Sequence, residues 1–299
     1  MRDQATEAAG NRTRIRYKVE LQYEVLAPTD FIFNVHAACT PQQRVLDESA
    51  SVSPQSPLKL ETEPSTGNRL LRTVAQSPGP FTVHYEALVE VEHHMRDPAR
   101  VVSGPIAELP AQVLRYLWPS RYCQTDHVQA MAWREFGHLP AGFAQAQAVT
   151  QWVRERIRFQ VGTSGTSTSA LETFNQGAGV CRDFAHLTIA LLRALNYPTR
   201  FVTGVDYGAD PALGPPDFHS YAEAFIGDRW WLFDATGISP LTGLIRIGTG
   251  RDAADVAFAT MFGRVRSGMP LVSFVAEEDP AGGVTLPWHP ELAVSTAEA

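Results

Sequence analysis

The chain has 299 residues, 44% of them hydrophobic and 19% charged, and a formal net charge of -7 at pH 7. That length exceeds the usual single-domain size of roughly 100–200 residues, which predicts two domains. The acidic balance excludes a partner recognised through its phosphates, since counterion release takes a basic face, so nucleic acid is not expected. Residues 1–18 contain no apolar h-region, and no uninterrupted apolar run of about 18 residues occurs anywhere, so the expectation is a cytoplasmic protein with no membrane partner. Cys39, Cys123 and Cys181 are odd in number and far apart, which argues for free thiols over a disulfide framework or a zinc knuckle.

Residues 17–25 alternate strictly: Tyr17, Val19, Leu21, Tyr23 and Val25 are apolar, with charged or amide side chains between them. This is the pattern of a half-buried strand. The same period returns at Phe31, Phe33 and Val35, and again at Phe81, Val83, Tyr85, Ala87, Val89 and Val91. Between them, residues 49–67 are rich in Pro, Ser and Glu and predict loops and short edge strands. The first hundred residues therefore read as an antiparallel β-domain of the sandwich type. His93 and His94, beside Met95, fit the end of a strand better than a metal site. Near residues 103–110 helical spacing takes over, which places a boundary near residue 105 and divides the chain into 1–105 and 106–299. Residues 144–157 predict an amphipathic helix with Ala148, Trp152 and Ile157 near one face, followed by a Gly, Ser and Thr loop over 162–169.

Residues 177–195, GAGVCRDFAHLTIALLRAL, place Leu187, Ala190, Leu191, Ala194 and Leu195 at the spacing of a buried helical face. Cys181 stands at the start of that helix. The free backbone N–H groups there favour a thiolate and would also hold the oxyanion of a tetrahedral intermediate. The alternative reading of such a cysteine is a small buried hydrophobe. Asp183, in the first turn, complements the helix dipole, whereas His186, five residues on, projects away from the thiol and reads as packing.

A nucleophilic cysteine needs a base, and the base needs an acceptor on its other ring nitrogen. Residues 217–237, DFHSYAEAFIGDRWWLFDATG, read as a hairpin with Gly227-Asp228 as a two-residue turn. Pairing around that turn sets Asp234 opposite Tyr221 and His219 opposite Thr236. His219 and Asp234 then become diagonal neighbours on one face, about 7–8 Å apart at the backbone and within reach of an imidazole–carboxylate hydrogen bond. A three-residue turn would put them on opposite faces. Taken singly, His219 also fits a surface histidine before a strand and Asp234 a turn residue. A carboxylate directly after Trp230, Trp231, Leu232 and Phe233 nevertheless wants a partner.

The block GVCRDFAHL, a strand opening with His and a Trp-rich strand ending in Asp resemble the transglutaminase-like superfamily, specifically bacterial members with an N-terminal β-domain. The resemblance takes in PTDFIF, WPSRYC at 118–123 and GRDAADV at 250–256. It implies an α+β fold: an N-terminal antiparallel β-sandwich-like domain followed by a papain-like, transglutaminase-like core in which the helix carrying Cys packs on an antiparallel sheet. By the same resemblance Cys181 is the nucleophile, His219 the general base and acid, and Asp234 its orienting group. Two departures leave these groups in place: His219-Ser220-Tyr221 replaces the commoner His-Ala-Trp, and Asp234-Ala235 replaces Asp-Pro. Asn175 and Gln176 are oxyanion-hole candidates by analogy with the glutamine preceding the nucleophile of papain-like enzymes. Cys123 reads as structural, Trp230 and Trp231 as hairpin packing, and the Gly- and Pro-rich loop 206–217 as the place of substrate selection.

The expected activity is thiol-based acyl transfer on an amide, with a peptide or protein substrate and no metal or organic cofactor. Water as acceptor makes a cysteine protease or amidase, which is the preferred reading because no second-amine site is legible. An amine acceptor would make a transglutaminase. The intervals from Cys181 to His219 and from His219 to Asp234 also resemble those of arylamine N-acetyltransferases, though nothing suggests a coenzyme A pocket. A binding module with a vestigial triad is the reading from a different class.

Overall fold

The computed structural model describes residues 12–210, 215–279 and 283–298. Part of the N-terminal stretch (1–11) and part of the 206–217 loop (211–214) lie outside them. The first strands are β1 (Arg12–Val25), β2 (Thr29–Phe33), β3 (Gln43–Ser53), β4 (Lys59–Thr62), β5 (Arg69–Ala75), β6 (Gly79–Glu92) and β7 (His94–Arg96). The helical part follows with α1 (Ala111–Leu114), α2 (Thr125–Phe136), α3 (Phe143–Arg156), β8 (Arg158–Phe159), α4 (Ala170–Gln176), β9 (Ala178–Gly179) and α5 (Cys181–Ala194). Then come β10 (Thr199–Asp206), β11 (Phe218–Ile226), β12 (Arg229–Phe233), β13 (Leu244–Gly250), β14 (Ala259–Phe262), β15 (Val265–Ser267), β16 (Leu271–Ala276), β17 (Ala293–Ser295) and β18 (Ala297–Glu298).

Two antiparallel sheets form the N-terminal part, one ordered β15-β1-β6-β3 with β16 also on β1, the other β14-β2-β5-β4. The alternation seen in the sequence sets which side chains meet between them: Ile15, Tyr17, Val19, Leu21, Phe31, Phe33, Phe81, Val83 and Val89 are all buried in one core. Each large side chain buried this way contributes about 1.5–3 kcal/mol. Within residues 49–67 the expected short edge strand is β4, while the first residues complete the longer β3, which runs to Ser53 and pairs with β6 along most of its length. Strand β3 is an edge strand whose side chains are mostly exposed and polar, so it carries no hydrophobic period to read.

Residues 1–105 leave the outer edges of β1 and β2 open, and β16, β15 and β14 return late in the chain to cover them. Unpaired edges are a liability that a later segment can close. A division of the chain at residue 105 leaves these strands hydrogen-bonded to β1 and β2 across the boundary.

The second core is an antiparallel sheet ordered β13-β10-β11-β12-β18. Helix α5 packs on it, surrounded by α2, α3 and α4. The predicted apolar residues of α5 are all buried, but so are Asp183, His186, Thr188 and Arg193 on its other sides, because this helix is enclosed all round. Arg193 donates to the carbonyls of Trp118 (3.0 Å), Thr199 (2.7 Å) and Arg251 (2.6 Å) and to Ser120 Oγ. Asp252 accepts the N–H of Tyr122 at 2.9 Å, and His186 stacks on Tyr122 while accepting the N–H of Ala253. The 118–123 and 250–256 motifs are thus two loops tied to one helix. Burial pushes the Cys123 thiol up to about 12, in keeping with a structural role.

The two cores join at β13. Gln43 donates to the carbonyls of Ala38 and Arg246, both at 2.7 Å, and accepts the N–H of Arg246 at 2.8 Å. Asn68 makes the same two-way clasp on Thr249, at 2.9 and 2.8 Å. These side chains satisfy backbone groups that the edge of the second core's sheet would otherwise leave buried and unpaired. Replacing both residues by Ala is expected to lower stability by at least about 2 kcal/mol, read from urea unfolding; a loss under half of that would contradict the clasp.

Candidate active site

The segment before Cys181 explains its own composition. Gly177 takes the left-handed conformation at φ +66° and ends α4. Ala178 and Gly179 then pair with Arg158 and Phe159 of β8. A Cβ on Gly179 would lie 2.7 Å from that of Asp183, so the chain passes here only without a side chain. Val180 is the N-cap and Cys181 the first residue of α5. Asp183 turns back to accept the Val180 N–H at 2.8 Å and the Ser164 hydroxyl at 2.9 Å, which pins the helix start to the 162–169 loop. Cys181 is partly exposed, with Sγ 4.0 Å from the carbonyl oxygen of Phe218.

The hairpin has the predicted register. Gly227, at φ +69°, makes the two-residue turn, and Ala222 pairs with Phe233 and Ile226 with Arg229. That parity brings His219 Nε2 to 3.0 Å from Asp234 Oδ2, with both side chains buried. Thr236 donates its N–H and hydroxyl to Asp234 Oδ1, at 2.9 and 2.7 Å. Arg154 of α3 holds the same turn from behind, donating to the carbonyls of Asp234 (2.9 Å) and Ala235 (3.3 Å). Its guanidinium lies where a Cβ on Gly237 would sit, which accounts for glycine there. Trp230 and Trp231 are buried in the hairpin's packing, Trp231 donating to the Ile226 carbonyl.

Electrostatics follow from burial. Desolvation alone would strip the proton from His219, but the adjacent Asp234 carboxylate outweighs it, and Cys181 adds to the effect, so the imidazole is held well above its ordinary value. Burial would likewise raise Asp234, yet His219 and Thr236 hold it below the usual carboxylate range. With Nε2 committed to Asp234, Nδ1 is the nitrogen left for the thiol.

Asn175 and Gln176 are exposed at the end of α4, and Gln176 gives its amide N–H to the Thr163 carbonyl at 2.8 Å. His186 is buried and neutral, its proton affinity driven well below normal by desolvation. Sequence reasoning missed Thr236, Ser239 and Asp206. The last of these ends β10, beside the His219 strand, a pairing that no local pattern announces. Among the described residues there is no cluster of three or more His, Cys, Asp or Glu side chains arranged to hold a metal ion, and no helix is long and apolar enough to cross a membrane.

The family model of the transglutaminase-like superfamily matches residues 134–235, and that of the bacterial transglutaminase N-terminal domain matches residues 13–112. A solved structure from Cytophaga hutchinsonii, described as that of a candidate cysteine protease, is 37% identical, with a TM-score of 0.87 over 95% of this chain and 98% of that one. The chain belongs to the transglutaminase-like superfamily. This transglutaminase-like protein is also 36% identical, over 115 residues, to an uncharacterized protein of Mycobacterium leprae, and 31% identical, over 109 residues, to one of Mycobacterium tuberculosis. Those stretches cover 37% and 33% of this chain and 41% and 35% of the mycobacterial proteins.

In this transglutaminase-like protein the buried pair stabilises the fold only within a pH window. Folding raises the proton affinity of His219, so its share is present below the ordinary imidazole value and is lost as pH rises through the raised one. Folding lowers that of Asp234, so its share is present above the ordinary carboxylate value and is lost as pH falls through the lowered one. Asp234→Asn is therefore expected to cost about 3 kcal/mol in urea unfolding near neutral pH. The cost should shrink toward both extremes; a penalty independent of pH would contradict the charged pair.

Proposed function

We propose that the protein is a thiol-dependent acyl-transfer enzyme that hydrolyses amide bonds, with Cys181 as nucleophile, His219 as general base and acid, and Asp234 as the group that orients and charges the imidazole. Membership of the transglutaminase-like superfamily supports a thiol-dependent enzyme in general. The observation that carries the finer reading is the buried His219–Asp234 hydrogen bond beside a cysteine at the first position of a long helix. The likeness to the Cytophaga hutchinsonii protein supports the protease reading over amine transfer.

In this scheme His219 Nδ1 takes the Cys181 proton and the sulfur attacks the carbonyl carbon of a peptide or related amide. Negative charge on the carbonyl oxygen is met by first-turn N–H groups of α5, which have no carbonyl partner within the helix. The imidazolium then protonates the leaving amine, the C–N bond breaks, and a thioester to Cys181 remains. Water, deprotonated by His219, attacks that thioester to release a carboxylic acid and restore the thiol. Throughout, Asp234 stays ionised and balances the imidazolium.

Residue-resolved iodoacetamide labelling tests the scheme, with exposed Cys39 as an internal reference. In mildly acidic buffer, wild-type Cys181 is expected to react at least about tenfold faster than in His219→Ala, as a thiolate held by an imidazolium requires. Equal, slow labelling in both proteins would remove the nucleophile and leave a non-catalytic binding module.

A further inference from the structure

The proposed triad leaves without a task a buried carboxylate that lies against His219. Asp206 ends β10, and its Oδ2 lies 3.7 Å from His219 Nδ1, the ring nitrogen opposite the one that Asp234 occupies. Asp206 is only 6% exposed. Its position is fixed from three directions. Val205 and Gly204, just before it, pair with Phe218 and His219. Its own backbone pairs with Leu244 of β13. Ser239, itself buried, donates its hydroxyl to Oδ2, the oxygen nearest the imidazole.

A separation of 3.7 Å is too long for a hydrogen bond but short for two charges in a buried setting. The charged and titratable groups facing the ring are Asp234 just after β12, Asp206 from β10, Cys181 from α5 and Tyr221, whose ring stacks on it from β11. Asp217, just before β11, is held above the usual carboxylate range by burial and, to a lesser degree, by the nearby Asp206. The guanidinium of Arg154 meets the Asp234 turn only through main-chain carbonyls. Nδ1 is also the atom that must collect the thiol proton and surrender it to the leaving amine. An ionised carboxylate beside it would favour the imidazolium and so govern when the proton leaves.

We propose that Asp206, held by Ser239, is a positioning residue of this site: a second carboxylate that sets how tightly His219 keeps the proton on Nδ1. The inference rests on the acyl-transfer reading, since it concerns the proton which that chemistry moves. Asp234 orients the ring from the rear, and Asp206 loads its working face.

The test is the alkylation rate of Cys181 followed from acid to alkaline pH, which needs no substrate. In the wild type the rate rises in two steps, the first as the thiolate–imidazolium pair forms and the second as His219 releases its proton. In Asp206→Asn the second step is expected about 1 pH unit or more lower, and Asp206→Glu should recover part of the shift. Ser239→Ala keeps the carboxylate and removes only its donor, freeing Oδ2 to act more strongly on Nδ1, so the second step moves up. A structural role alone would lower thermal stability and leave the step in place. An Asp206→Asn profile whose second step coincides with that of the wild type overturns the proposal while leaving the nucleophile standing. A wild-type profile with one ordinary thiol step instead removes the acyl-transfer reading and this inference with it. Should Asp206→Asn fail to fold, Ser239→Ala decides, and an unmoved step there overturns the proposal.

Discussion

An imidazole and a carboxylate sharing a hydrogen bond in the interior, 3.0 Å apart and nearly sealed from solvent, form the constraint around which the rest of the second core is arranged. Neither group is tolerable there alone: a lone buried carboxylate would take up a proton, and a lone buried imidazole would lose one. Together each holds the other charged. The pair can exist only if the hairpin between β11 and β12 keeps its two-residue turn, because one extra residue would rotate Asp234 to the opposite face of the sheet.

Much of the surrounding structure serves that pair or the helix that faces it. Thr236 and Arg154 fix the turn that bears Asp234, one through the carboxylate and the other through main-chain carbonyls. Asp183, Gly179 and the 162–169 loop fix the start of α5, and Arg193 ties its far end to two loops and the start of β10. The sheet carrying His219 is in turn finished by the β-domain, whose Gln43 and Asn68 occupy the backbone groups of β13. Valine and isoleucine side chains of β10 and β13 enter the core of that domain, so the two parts share apolar packing as well as hydrogen bonds.

The features legible in the sequence were those written in local periodicity. Alternation revealed β1 and β6, helical spacing revealed α3 and α5, and the Gly227-Asp228 turn fixed a register from which the His219–Asp234 contact followed. Strand β3 was hidden because its exposed polar side chains resemble loop composition. The return of β14, β15 and β16 to the N-terminal sheets was hidden because pairing across more than two hundred residues leaves no local trace. Arg193, in the last turn of α5, is buried among carbonyls that only the tertiary structure assembles. Asp206 was overlooked for the same reason: its nearness to His219 depends on β10 lying beside β11.

The buried pair requires His219 to be an imidazolium in the resting protein, and nitrogen NMR of histidine-labelled protein reads that state directly, with the His219 signal assigned by its loss in His219→Ala. Two protonated ring nitrogens at neutral pH, persisting as the pH is raised past the ordinary histidine range of about 6.5, are what the buried pair predicts. A neutral ring at that pH, titrating like a histidine in water, would contradict it.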